Sequence, residues 1–191
     1  MSTWRSAALV TAVAFAFGVL AVGFGGTPAA AKDDGKDIPC SDTPFTFDAP
    51  GFTAKCSDHS QASINLDVPA AIKIVTMHAF SNTEATFLDV VDDHILGTSR
   101  VYYDRRSLES DISRYYKADF KDWAIDASVG GYEVEKVQVS FDREDPMDCL
   151  AFRKLGGRRY SGIGGVTVGL TCSQLGRDHA YAALKHLAGG E

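Results

Sequence analysis

The chain has 191 residues and a formal net charge of −6, from 25 acidic against 19 basic side chains. No basic stripe is available to neutralise phosphates, so nucleic acid is excluded as a general partner. Four cysteines, an even number behind an export-type leader, favour two disulfides over a metal site or free thiols.

The leader is Trp4-Arg5 followed by an apolar run from Ala7 to Phe24, a break at Thr27-Pro28, and the small residues Ala29-Ala30-Ala31 before Lys32. This reads as a signal peptide over 1–31, cleaved on export. Its rival is an uncleaved anchor, because the run approaches the ~18–20 residues that span a bilayer. Cleavage leaves Lys32 to Glu191, about 160 residues, a length that suits a single domain with its own core. Periplasmic or secreted residence follows, with no membrane attachment afterwards.

Residues 32–43 are charged and read as a flexible N-terminal segment, with the folded domain spanning 44–191. In Pro44–Cys56, Phe45 and Phe47 alternate with polar residues, Ala49-Pro50-Gly51 turns, and a short return reaches Cys56. A Cys40–Cys56 bridge would staple this hairpin. Ala62, Ile64, Leu66 and Val68 alternate as a half-buried strand, and the run from Ala71 to Phe80 is apolar on both sides, which predicts a central strand.

The period then changes. Ser81-Asn82-Thr83-Glu84 has the form of a capping box, Phe87, Leu88, Val91 and Ile95 recur at helical spacing, and Gly97 suits a stop. A second helix is expected from a cap at Ser107, with an apolar stripe through Leu108, Ile112, Tyr115, Phe120 and Trp123. Gly131 to Cys172 then reads as a three-strand meander. If Leu155 pairs with Val166, the same register pairs Arg153 with Val168, Ala151 with Leu170 and Cys149 with Cys172. All four pairs share one face, and the cysteines lie close enough to bridge. A last helix is expected over Arg177 to Leu187. Of the three pairings that four cysteines allow, Cys40–Cys56 with Cys149–Cys172 is favoured.

The predicted fold is α+β: an antiparallel sheet of five to seven strands, with two consecutive helices and a C-terminal helix packed on it. This element order, together with the opening Phe45-Thr46-Phe47-Asp48-Ala49-Pro50-Gly51-Phe52, resembles the PsbP-like family of extrinsic photosystem subunits and small exported bacterial proteins, over most of Pro44–Leu187. The resemblance implies an accessory or binding role and carries no shared catalytic residue.

Two clusters bear on chemistry. Asp89, Asp92, Asp93 and His94 fall at the end of the first expected helix, where carboxylates oppose the helix dipole. Asp89 and Asp93, at i and i+4, would share a face and could hold a cation; the plainer reading is a solvated end balanced by His94 or by Arg100, Arg105 and Arg106. The spacing fits neither an EF-hand nor a His-x-x-x-His chelate. His59, His179 and His186 suggest only a composite site, and His78 reads as a hydrogen-bonded core residue. Tyr160-Ser161-Gly162 lacks the first glycine of a nucleophile elbow. No catalytic residue and no cofactor are implied.

The second cluster is the loop from Arg153 to Tyr160. Arg153, Arg158, Arg159 and Tyr160 form a basic, aromatic patch that would dock an acidic protein surface or an anionic ligand. Tyr102-Tyr103-Asp104-Arg105-Arg106 has a similar composition, and a binding role gains if the two patches adjoin. The sequence therefore points to an exported, non-catalytic binding or accessory protein. The alternatives are a small metal-dependent enzyme or hydrolase using Asp89, Asp93 and a histidine from elsewhere, and a structural subunit of an envelope assembly.

Overall fold

The computed structural model describes residues 35–62, 71–96, 103–141, 145–159 and 162–190. The leader and most of the strand expected at Ala62–Val68 lie outside the described residues. In chain order the elements are β1 (Lys36–Ile38), β2 (Phe45–Phe47), β3 (Thr53–Asp58), β4 (Gln61–Ala62), β5 (Ala71–Ser81), β6 (Thr86–Leu96), α1 (Leu108–Tyr115), β7 (Asp119–Ile125), β8 (Glu133–Ser140), β9 (Met147–Leu155), β10 (Arg158–Arg159), β11 (Gly162–Ile163), β12 (Gly165–Ser173), α2 (Arg177–Lys185) and β13 (Leu187–Gly189). Short 3-10 turns occupy Cys40–Asp42 and Tyr103–Arg105.

Among the described residues the fold is mostly β, 54% strand against 17% helix, which corrects the expected α+β arrangement. One antiparallel sheet runs β1-β3-β5-β6-β12-β9-β8-β7, with β4 added on β5. Among the described residues that path has eight strands instead of five to seven, and two α-helices stand where three were expected.

The missing helix is the first. Ser81 to Leu96 forms a β-hairpin with β5, in which Ser81 pairs with Thr86, His78 with Asp89 and Ile74 with Asp93. The capping bond is made, Glu84 N–H donating to Ser81 Oγ at 3.3 Å, but it closes the hairpin loop and starts no helix. β6 is enclosed on both faces, so apolar residues fall on each side of it and mimic helical spacing.

The second helix starts as its sequence implies, with Ser107 Oγ accepting from Ser110 N–H at 3.1 Å. It stops at Tyr115, and Phe120 and Trp123 sit on β7. The N-terminal hairpin is also rearranged. Phe45–Phe47 pairs with β13, while β3 pairs with β1 and β5.

The meander has the register derived above: Val166 opposite Leu155, Val168 opposite Arg153, Leu170 opposite Ala151 and Cys172 opposite Cys149. The Cys149–Cys172 bridge joins neighbouring strands with Cα atoms 4.2 Å apart, and Cys40–Cys56 ties the first 3-10 turn to β3 at 5.2 Å. In the chain-entropy account each such loop contributes roughly 3 kcal/mol.

Each sheet face has its own core. On the α1 face Val91, Val137, Val139, Val166, Val168 and Leu170 pack with the helix residues Leu108 and Ile112 and with Tyr116, which caps the helix. On the other face Val75, Met77, Leu88, Val90, Leu150 and Phe152 pack with Phe45, Ala180, Leu184 and Leu187. α2 and the β2–β13 ribbon cover that second face.

Gly169 is where the second core leaves no room for a side chain. A Cβ there would lie 2.2 Å from Phe152 Cζ and 2.4 Å from the Asp89 carbonyl oxygen. Gly169→Ala is expected to destabilise the fold by about 1–3 kcal/mol through overpacking. Urea melts should show a lower midpoint at an unchanged m-value. Gly157→Ala, which meets nothing within 4 Å, should stay within about 0.5 kcal/mol of the parent.

Candidate functional site

Arg153 is not part of an exposed patch. It is 6% exposed and lies on the α1 face of β9. Its Nε and Nη2 donate to Glu133 Oε2 at 3.1 and 2.7 Å, and its Nη1 donates to Asp111 Oδ2 at 2.8 Å and to the Arg106 carbonyl at 2.9 Å. Four internal hydrogen bonds and near-complete burial take this guanidinium out of reach of a docking partner. Asp111, 1% exposed, is the carboxylate it neutralises. Arg153 is therefore an internal strut, and its expected docking role is corrected.

Lys154 points to the other face. Its Nζ donates to the Gly189 and Gly190 carbonyls at 3.3 and 2.7 Å and lies over the Tyr132 ring. The Tyr132 phenol donates to the same Gly189 carbonyl at 2.8 Å. Burial, with Asp92 nearby, pushes Tyr132 up to about 12, which keeps it a neutral donor.

Arg158 and Arg159 are the residues of β10, paired with Ile163 and Gly162 of β11; Tyr160 lies outside the described residues. The 3-10 turn Tyr103–Arg105 packs against β11, and the Arg106 carbonyl just beyond it is the one that Arg153 holds. The two basic stretches adjoin. Arg105 and Arg106 are both exposed.

The acidic cluster changes character because it lies on a strand. Asp89, Asp92 and Asp93 are 5%, 2% and 2% exposed, so none is a solvated helix end. Alternation sends Asp89 and Asp93 to the α1 face and Asp92 to the opposite one. Four residues of strand span about 13 Å, too far for one ion to bridge Asp89 and Asp93. That corrects the metal-pair expectation. Among the described residues, no three His, Cys, Asp or Glu side chains are grouped as a metal site would need.

Each carboxylate has a specific partner instead. Asp92 Oδ2 lies 2.7 Å from His94 Nε2, and its Oδ1 accepts from the Thr167 hydroxyl at 2.7 Å. Asp93 Oδ2 accepts from the Tyr115 phenol of α1. Asp89 bonds His78 Nδ1, and the Tyr116 phenol donates to the Asp89 backbone carbonyl at 3.2 Å. Burial pushes the Asp89 carboxyl up against the opposing effect of His78, and the bond to Asp89 pushes His78 up. Burial also raises Tyr116 well above the ordinary phenol, so it remains a donor.

The His78–Asp89 pair was not anticipated from sequence. The signal was present: once Ser81 pairs with Thr86 across a four-residue loop, antiparallel counting puts His78 opposite Asp89. Elsewhere, His59 Nε2 lies 3.4 Å from Thr76 Oγ1, and His179 Nδ1 lies 3.9 Å from Glu84 Oε2. Ser161 lies outside the described residues. Comparison with family models, with curated proteins and with solved structures finds no match to this chain.

Two measurements test these assignments. Arg153→Met leaves the buried Asp111 facing the more distant Arg106, at 3.8 Å, and should cost about 3–5 kcal/mol in a urea melt. The double variant Arg153→Met/Asp111→Leu should recover part of that loss, since no bare charge remains. For His78 and Asp89 the folded state binds protons more tightly than the unfolded chain, so stability falls as pH rises. The His78 contribution is complete below the ordinary imidazole pKa and is lost as pH climbs through its elevated folded value. In His78→Gln the fall in urea midpoint between about pH 6 and pH 8 should flatten.

Proposed function

We propose that this is an exported, non-catalytic binding or accessory protein that docks an acidic protein surface through the basic corner formed by the Tyr103–Arg106 and Arg158–Arg159 stretches. The observation that carries the reading is the packing of the 3-10 turn against β11. It brings Arg105 and Arg106 beside the hairpin that bears Arg158 and Arg159, on a chain whose overall charge is negative. A local positive field on an acidic protein favours one docking orientation and raises the association rate of a complementary partner.

The two disulfides fit an oxidising compartment, and among the described residues no helix is long and apolar enough to cross a membrane. Periplasmic or secreted residence is the reading these support, together with the leader over 1–31. The PsbP-like resemblance also points to an accessory role, on its Phe45–Phe52 opening; the element order it used has lost one helix to β6.

The test is site-specific photo-crosslinking from Gly157 in the exported fraction, with and without Arg105→Glu, Arg158→Glu and Arg159→Glu combined. The expected result is one crosslinked acidic protein whose yield drops at least about tenfold on charge reversal and falls with added salt. Crosslinking that is indifferent to charge reversal would refute the basic corner as a docking site.

A further inference from the structure

The α1 face is covered unevenly. Helix α1 lies over β9 and β12, and the face is sealed there. Over β5 and β3 it is open: the His78 side chain is 42% exposed, and Ile74, Thr76 and Phe80 are half-buried. The reverse face of the same strand is closed, with Val75 at 1%, Met77 at 2% and Ala79 at 0%. The openness therefore belongs to one face of β5 and is not fraying of a strand.

What stands on this shelf is organised. The His78 ring stacks on Phe80 at 5.8 Å and 29° and on Phe87 at 6.4 Å and 30°, and Phe141 meets Phe87 edge-on at 5.8 Å. His78 thus stacks against both phenylalanines, and the three rings together line one side of the shelf. Asp89, buried beneath, takes His78 Nδ1 and fixes the ring orientation. This leaves Nε2 on the far side, and among the described residues nothing bonds it. Lys55 on β3 is the directly opposed neighbour of His78. It is exposed and makes no ion pair among the described residues. Directly opposed side chains stand about 5 Å apart at Cβ, so the ammonium and Nε2 can converge on one group.

We propose that this shelf binds a small planar carboxylate, an aromatic acid, with Lys55 and His78 Nε2 holding the carboxylate and the Phe80–Phe87 wall stacking its ring. The charge count supports an anion. Asp89 balances an imidazolium at His78, and Lys55, with Asp37 diagonal to it on β1, brings a second cation to the shelf. A charge-assisted pair of donors beside aromatic faces suits a ring bearing an acid group better than either a simple anion or a neutral ring. The site is separate from the basic corner and stands or falls independently of it.

The test is titration of the folded, disulfide-bonded protein with benzoate, followed through the His78 ring protons by NMR. Saturable shifts with a Kd on the order of 1 mM are expected. Acetate and benzyl alcohol, which each keep half of the recognition, should bind much more weakly. His78→Phe should abolish binding. Lys55→Met, which leaves the His78–Asp89 bond intact and so does not depend on the fate of a bare Asp89, should weaken it by about threefold. Binding should also weaken as pH rises through the His78 pKa, because the Nε2 proton is lost; Asp89 on β6 and Lys55 on β3 are the charged groups acting on that ring. No benzoate shift up to about 50 mM would overturn the proposal. Equal binding of acetate, meaning an adventitious ion only, or benzoate binding unchanged by Lys55→Met would also overturn it.

Discussion

Three carboxylates buried on one interior strand set the terms for the rest of this molecule. A carboxylate taken out of water without a donor costs several kcal/mol or gives up its charge, so Asp89, Asp92 and Asp93 each require a partner from elsewhere. Their partners come from β5 (His78), α1 (Tyr115), β12 (Thr167) and β6 itself (His94). Such pairs are weak sources of net stability, because desolvation consumes most of the Coulombic gain. Their effect is on specificity. A one-residue slip of β6 would send Asp89 and Asp93 to the face of Val90 and Asp92 to the face of Val91, breaking the bonds to His78, Tyr115 and Thr167 together. The hairpin register and the seat of α1 are thus decided together.

The buried guanidinium of Arg153 plays the matching part at the other side of the α1 face. It joins β9 to β8 through Glu133, to α1 through Asp111, and to the segment before α1 through the Arg106 carbonyl. Planar donors on a rigid fork suit three acceptors from three elements in a way a lysine would not. The residue read as the first member of a docking loop is therefore a strut that holds the segment before α1 against β9.

The meander was legible because its signals are local and redundant: glycine-rich connections, strict pairing of Cys149 with Cys172, and a loop whose length sets the register. β6 was not, for a physical reason. An interior strand enclosed on both faces loses the two-residue alternation, and Phe87, Leu88, Val91 and Ile95 then fit a helical wheel as well as a pleat. A Ser-x-x-Glu pattern makes the same backbone bond in a turn as in a cap. The unfavourable clue was the acidic end of the supposed helix, where Asp89, Asp92 and Asp93 would oppose the dipole. That conflict disappears once the segment is a strand. The apolar stripe through Phe120 and Trp123 misled in the same way, since both pack on the α1 face from an edge strand. The site at His78 depended on the hairpin and was lost with it.

The uneven cover of the α1 face follows from dimensions. Eight residues of helix extend about 12 Å, whereas eight strands at about 4.8 Å spacing make a sheet roughly 34 Å wide. One short helix cannot roof such a face. The opposite face has α2 and the β2–β13 ribbon, locked by Lys154 and Tyr132 onto the Gly189 carbonyl, and it is closed over β5. On the α1 face the helix is drawn toward β6, β9 and β12 because Asp93, the Asp89 carbonyl and Arg153 all bond to α1 residues. The polar anchors that satisfy the buried charges thereby pull the cover away from β3 and β5. What remains in the open is an imidazole held from below, flanked by phenylalanines and a lysine, and its exposure is a consequence of how the buried carboxylates are satisfied.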